Sequence, residues 1–339
     1  MSKIIGLGNA LVDVLVSLKE DNLLTHIGLQ KGGMQLISAS KFEEIKKIIS
    51  RMETHQVTGG SAANTIQALA SMNTPVGFIG KVGADSFGQF FQSTLAAKNI
   101  STNLLIDNQL NSGVASTFIS PDGERTFGTY LGAASELSAA DLCPSLFAGY
   151  DILYLEGYLV QNHDLILKAV SLAKQQGLEV CIDLASYNIV AEDLDFFTYL
   201  VENYVDIVFA NEEEAYAYTG QSDPIEALNH IAQHCKIAIV KVGAKGSYIK
   251  QGSRLYHVNA LENRAVIDTT GAGDYFAAGF LYGYTKGLQQ HKCTEIGSVL
   301  SGYVIEVVGT SLNKRTWKQI LQKTETIINK TITLDSYPS

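Results

Sequence analysis

Cysteine is scarce: 4 residues in 339, at Cys143, Cys181, Cys235 and Cys293. They lie far apart and form none of the close pairs that zinc sites or thiol redox motifs require, so neither a disulfide framework nor zinc is expected. Each reads as a small hydrophobe. No block of lysine or arginine breaks the sequence, and 34 acidic residues against 25 basic ones leave a formal net charge of -9. That balance argues against a nucleic acid or an anionic membrane surface as partner. No apolar stretch approaches the roughly 18 to 20 residues of a membrane span. The N-terminal Met1-Ser2-Lys3 runs directly into a strand-like segment, so the expectation is a soluble, cytoplasmic protein.

Two nucleotide-binding signatures are missing as well. No window satisfies Gly-x-x-x-x-Gly-Lys-Ser/Thr, which excludes the P-loop class at the level of motif. Gly6-Leu7-Gly8-Asn9-Ala10-Leu11 approaches the dinucleotide fingerprint Gly-x-Gly-x-x-Gly, but Leu11 replaces the third glycine. The following Val12 to Val16 continues as strand where that fold needs a helix.

What is present is the composition of a large globular core, with 46% hydrophobic and 17% charged residues. From about residue 150, short apolar runs (Ile152 to Leu155, Val180 to Leu184, Ile207 to Ala210, Ile237 to Val240) alternate with helical patterns over 164 to 176, 192 to 203, 212 to 219 and 225 to 235. This rhythm predicts an α/β fold, a mainly parallel sheet with helices on both faces. The N-terminal half differs in texture. Leu11 to Leu18 alternates polar and apolar residues, and Gly113 to Gly132 is rich in Thr, Ser, Gly and Tyr; both read as half-exposed strands of a small projecting sheet. Helices are expected over Ala62 to Met72 and Asp85 to Lys98, and three more near the C-terminus, at about 273 to 287, 294 to 308 and 314 to 329.

The most informative segment is Val266-Ile267-Asp268-Thr269-Thr270-Gly271-Ala272-Gly273-Asp274-Tyr275-Phe276. A strand enters, a tight small-residue loop follows, and a helix leaves. The free N–H groups of Gly271, Ala272 and Gly273, with the positive end of the helix dipole, suit an anion such as a phosphoryl group. Asp274 in the first turn is placed as a general base for an attacking hydroxyl; a first-turn acid that merely favours the helix is the plainer reading of the same residue.

Read as DTTGAGDYFAAGF, this segment resembles the second signature of the PfkB carbohydrate-kinase family, and two further matches occur in family order. Val57-Thr58-Gly59-Gly60-Ser61-Ala62-Ala63-Asn64-Thr65 is similar to the substrate-side Gly-Gly turn, and Asn211-Glu212-Glu213-Glu214 to the Asn-x-x-Glu element near magnesium and phosphate. The resemblance implies a ribokinase-like three-layer α/β/α domain spanning residues 1–339. Its small-sheet lid would come from two insertions, about 11–40 and 103–131. It also implies ATP and Mg2+ as cofactors and phosphoryl transfer to a hydroxymethyl group.

By the same resemblance Asn9, Asp13, Gly59, Gly60, Asn64 and Arg125 fall on the substrate side, with Arg125 directed at the phosphates in some relatives. Asn211, Glu214, Lys241, Gly243 and Gly246 fall on the nucleotide side, and Glu214 is implied to act on magnesium through water. Lys241 departs from the threonine often found at its place. Asp268 is implied as a ligand of the monovalent cation, K+, that several relatives hold. Tyr275 replaces the small residue common after the base, so its ring either narrows the acceptor pocket or packs beneath the helix. Phe118, Phe127 and Tyr130 are candidates to stack on a base, or else core. The upstream motifs look closest to the adenosine-kinase branch, which favours a nucleoside acceptor. A free sugar such as ribose, fructose or 2-keto-3-deoxygluconate is the runner-up, and a non-catalytic nucleoside or sugar binder the reading from another class. Relatives range from monomers to lid-paired homodimers.

Overall fold

The alternation of side chains along short apolar strands sorts the core into two layers. In a computed structural model that describes residues 2–262 and 264–330, fourteen strands form among the described residues. They are β1 (Ile4–Leu7), β2 (Leu11–Ser17), β3 (Met34–Leu36), β4 (His55–Gly59), β5 (Val76–Gly83), β6 (Ser101–Asp107), β7 (Gly113–Ile119), β8 (Arg125–Tyr130), β9 (Ile152–Glu156), β10 (Glu179–Asp183), β11 (Ile207–Asn211), β12 (Ile237–Lys241), β13 (Ser247–Gln251) and β14 (Arg254–Val258). Nine of them form one sheet in the order β14-β13-β12-β11-β10-β9-β1-β5-β6. The strands from β12 to β6 pair in parallel, and β13 and β14 add an antiparallel edge.

Successive strand residues point to opposite faces, and both faces are covered. Ile152, Tyr154, Cys181, Ile207 and Phe209 join the core beneath helices Ser61–Ser71, Ala272–Thr285 and Gln290–Val304. Leu153, Leu155, Val180, Ile182 and Val208 join the core beneath His163–Gln175, Leu194–Asn203 and Pro224–Ile231. This is the three-layer α/β/α sandwich expected from the sequence, beside a second, five-stranded sheet in the order β3-β8-β7-β2-β4.

The small sheet is covered on one face. Val12, Val14 and Val16 are buried with Phe42, Ile45 and Ile49 of helix Ala39–Ile49, whereas Leu11, Asp13 and Leu15 on the other face are half-buried. Its membership departs from the insertions read in the sequence. β6 pairs with β5 at the edge of the large sheet, so the second insertion starts near Gly113 rather than 103. β4, beyond position 40, pairs with β2. The half-polar Ser101–Asp107 pattern fits an edge strand of either sheet, which is why sequence alone misplaces it. No helix among the described residues is long and apolar enough to cross a membrane.

Candidate active site

Open parallel sheets present their chemistry beyond the carboxyl ends of the strands, and here five polar side chains lie there: Asn9 after β1, Glu156 ending β9, Asp183 ending β10, Asn211 ending β11 and Lys241 ending β12. Glu156, 1% exposed, accepts hydrogen bonds from the Asn9 backbone N–H at 2.8 Å, from Asn9 Nδ2 at 2.6 Å and from the Ala62 N–H at 2.9 Å. One buried carboxylate thus fixes both the end of β1 and the start of helix Ser61–Ser71. Burial pushes it up to about 7 against the pull of those donors. Gly60, at φ 92°, passes so close to β1 that a Cβ there would lie 2.1 Å from the Asn9 carbonyl oxygen. Asp13 sits against Gly59, where a Cβ would meet its Oδ1 at 2.5 Å. Burial pushes the Asp13 carboxyl up to about 7, with Arg125 lowering it and Asp274 raising it.

Gly271 opens helix Ala272–Thr285 in the left-handed conformation, φ 75°, which only glycine adopts at little cost. The Ala272 N–H donates to the Thr269 carbonyl at 3.1 Å, so that amide is engaged within the turn. The N–H groups of Gly271, Gly273 and Asp274 have no protein acceptor among the described residues. Asp274 accepts from Ser61 Oγ at 2.6 Å on one oxygen and from Asn64 Nδ2 at 2.9 Å on the other. Burial pushes its carboxyl up to about 6, opposed by those two donors. Thr310 Oγ1 donates to Asn64 Oδ1 at 3.2 Å, so both ends of the Asn64 amide are held by protein groups and Asn64 orients the base. Ser61, Thr310 and Glu156 were not singled out from the sequence.

Beyond Asp274 a cavity of about 900 Å³ extends over the ends of β10 to β12, lined on its floor by Asp183, Asn211, Lys241 and Gly273. Lys241 Nζ donates to Asp183 Oδ2 at 2.9 Å and lies 3.1 Å from where a Cβ on Gly273 would be. Asp183 also accepts from the Ala185 N–H at 3.0 Å, holding Ala185 at φ 65° on the cavity wall. Asn211 and Glu214 form a reciprocal cap: the Asn211 N–H and Nδ2 donate to Glu214 at 2.8 and 2.7 Å, and the Glu214 N–H donates to Asn211 Oδ1 at 2.8 Å. Burial and then Asp183 push Glu214 up to about 7, with Lys241 opposing. Gly243 and Gly246 line the cavity, and a Cβ on Gly246 would lie 2.0 Å from the Val258 carbonyl oxygen, so no side chain fits there. An aspartate and a glutamate ending apolar runs were the available signals for Asp183 and Glu156.

Several expectations change on the structure. Arg125 pairs with Asp268 at 2.9 Å and donates to Thr270 Oγ1 at 3.3 Å. Its Nη2 is buried without a partner among the described residues. Asp268 also accepts from the Thr270 N–H at 3.0 Å and the Gly309 N–H at 2.6 Å. Donors therefore reach both of its oxygens, and the positive charge beside it is the Arg125 guanidinium. Tyr275 is 3% exposed, donates to the Thr310 carbonyl at 2.6 Å and stacks on Trp317, so it packs beneath the helix and leaves the acceptor pocket free. Phe118 is buried in the core and Tyr130 stacks on Phe42 at 4.9 Å, so both belong to the small sheet's interior.

A turn with N–H groups free to meet an anion, a carboxylate at its rim and a cavity over parallel strand ends together suit a small-molecule phosphotransferase. Residues 32–317 match the pfkB family carbohydrate kinases, and the chain belongs to that family. It is similar to the crystal structure of a probable sugar kinase from Rhizobium etli CFN 42, with 34% identity, TM-score 0.84, and 95% of this chain and 98% of that one covered. It is also similar to an adenosine kinase structure from Sinorhizobium meliloti, with 33% identity, TM-score 0.84 and coverage of 95% and 99%. A 5-dehydro-2-deoxygluconokinase of Lacticaseibacillus casei is 29% identical over 75% of this chain and 82% of its own length. The chain is a sugar or nucleoside kinase with ATP as phosphoryl donor.

Proposed function

We propose that the acceptor is a nucleoside, adenosine in preference, phosphorylated on its hydroxymethyl group with Asp274 as general base. The observation that carries the base assignment is the position of Asp274 between the unpartnered amides of Gly271 and Gly273 and helix Ser61–Ser71, whose Ser61 and Asn64 aim its two oxygens. In the reaction the hydroxyl proton passes to Asp274, the freed oxygen bonds to the γ-phosphorus, and the bond to the bridging oxygen breaks to release ADP. The Gly271 and Gly273 amides meet the charge that spreads over the phosphoryl oxygens. Asp13 and Asn9 take the sugar hydroxyls, and the cavity beside Asn211, Lys241 and Gly243 takes the nucleotide.

Magnesium, when bound, neutralises phosphate charge. Among the described residues no cluster of three or more ligands forms a preformed cage, which suits an ion that arrives with the nucleotide and meets Glu214 through water. The small sheet closes over the acceptor and excludes water as a competing one.

The nucleoside preference draws on the likeness to the Sinorhizobium meliloti adenosine kinase. A free-sugar acceptor is the second reading, favoured by the likeness to 5-dehydro-2-deoxygluconokinase. Purified protein with Mg-ATP and adenosine, guanosine, ribose, fructose, 2-keto-3-deoxygluconate or 5-dehydro-2-deoxygluconate separates them. Adenosine is expected to give the highest kcat/KM, and turnover of sugars without turnover of any nucleoside would refute the preference.

A further inference from the structure

The segment entering the phosphate turn carries a buried negative charge that the turn itself does not neutralise. Asp268 has a side chain 7% exposed, and a buried carboxylate needs a charged partner as well as hydrogen bonds. The N–H groups of Thr270 and Gly309 supply the hydrogen bonds. The charge comes from Arg125, 10% exposed, whose Nη1 lies 2.9 Å from Asp268 Oδ2 and 3.3 Å from Thr270 Oγ1. Arg125 begins β8 of the small sheet, opposite Ile119 of β7. Leu15, on the same sheet, reaches within 4.0 Å of where a Cβ on Gly309 would lie. The small sheet therefore meets the phosphate turn at two neighbouring points, one apolar and one ionic.

We propose that Arg125 is a positioning residue of the phosphate turn: its guanidinium is the built-in counter-charge of Asp268, in place of a free monovalent cation, and it shapes the turn only while the small sheet is docked. An arginine suits this role because it stays charged at any working pH and its planar fork spans two acceptors. Asp268 lies three residues before Gly271 and accepts from the Thr270 N–H, so a shift of that carboxylate moves the backbone that aims the Gly271 and Gly273 amides. Arg125 acts through Asp268 and is not placed in contact with the reacting atoms. The inference rests on the assignment of that turn to phosphate, and none of its tests uses an acceptor substrate, so its outcome is separate from the choice between nucleoside and sugar.

The test compares wild type, Arg125→Met, Arg125→Lys and the double variant Arg125→Met/Asp268→Asn in potassium chloride and in tetramethylammonium chloride, whose cation is too bulky for the site, at equal ionic strength. Two readouts are taken: the thermal midpoint, and Mg-ATP affinity by calorimetry. Wild type and Arg125→Lys are expected to be indifferent to the cation. Arg125→Met is expected to lose about 3 °C or more in tetramethylammonium and to bind Mg-ATP about tenfold more weakly, with potassium restoring most of both. The double variant, lacking the carboxylate, is expected to be indifferent again. A wild type that potassium stabilises, or an Arg125→Met protein with unchanged Mg-ATP affinity or no response to potassium, overturns the proposal. Should Arg125→Met fail to fold, the wild-type and Arg125→Lys arms decide: indifference in both supports the built-in charge, and a potassium response in wild type refutes it.

Discussion

The two sheets solve the same problem in opposite ways. The large sheet is apolar on both faces, so its chemistry is confined to strand ends, where Glu156, Asp183 and Lys241 are held by a buried scaffold. The small sheet keeps one face for its own core and turns the other, with Asp13 and Leu15, toward the site. On the proposed function, the sheet covered on both faces carries the groups that must not move, and the thinner one, covered on one face, carries those that meet the acceptor. The phosphate turn belongs to the first region but takes its ionic partner from the second.

The largest effect that would test this division is at the base. Asp274→Asn is expected to slow phosphoryl transfer about 10³-fold with Mg-ATP binding nearly unchanged, read by ADP release and calorimetry. Comparable rates in the two proteins would contradict the assignment.

Next comes the scaffold beneath it. Glu156→Ala strands three N–H donors and is expected to cost about 2–4 kcal/mol, seen as a lower denaturant midpoint, whereas the same truncation at Asp13, which holds no hydrogen bond among the described residues, is expected to raise KM and leave stability nearly intact. If both variants lose stability alike, the contrast between regions fails.

A smaller effect concerns pH. Asp13, Glu156, Glu214 and Asp274 all have carboxyls raised by burial, to about 7, 7, 7 and 6. The folded state therefore binds protons more tightly than the unfolded one across the interval from the usual carboxylate range up to about 7. Stability from these four falls as pH rises through that interval and levels above it. Catalysis runs the other way, since Asp274 accepts a proton only when ionised, so kcat/KM rises through about pH 6. Asp13→Asn is expected to flatten the slope of the thermal midpoint between pH 5 and 8; an unaltered slope would remove Asp13 from this set. The smallest effect expected is at Tyr275→Phe, which loses one hydrogen bond to the Thr310 carbonyl, about 1 kcal/mol, without change in KM. A rise in KM would place that ring in the acceptor pocket after all.

The large sheet was legible because both-face burial writes unbroken apolar runs, and Ile207–Asn211 and Ile237–Lys241 were found almost to the residue. The turn and the helix after it were legible because Gly271 and Gly273 leave few alternatives to a tight turn opening a helix, but the strand expected to enter it does not form: no strand lies between Arg254–Val258 and that helix among the described residues, and Val266 and Ile267 are exposed. The half-polar β6 gave an ambiguous signal and went to the wrong sheet. The partners of each functional group were not legible at all: that Asn64 serves Asp274, or that Arg125 answers Asp268, depends on which distant segments meet, and local pattern is silent on that. Phe118 and Tyr130 show the same limit, since alternation places them on a strand without saying which face is dry.

The bond from Ser61 to Asp274 joins positions 213 residues apart, and Thr310, which steadies Asn64, lies later still. During synthesis Ser61 and Asn64 emerge well before the carboxylate they aim. Contacts of such long sequence separation are slow to close, and a chain cut short before Asp274 would lack the proposed base. On the proposed mechanism the catalytic constellation exists only once these distant segments have met.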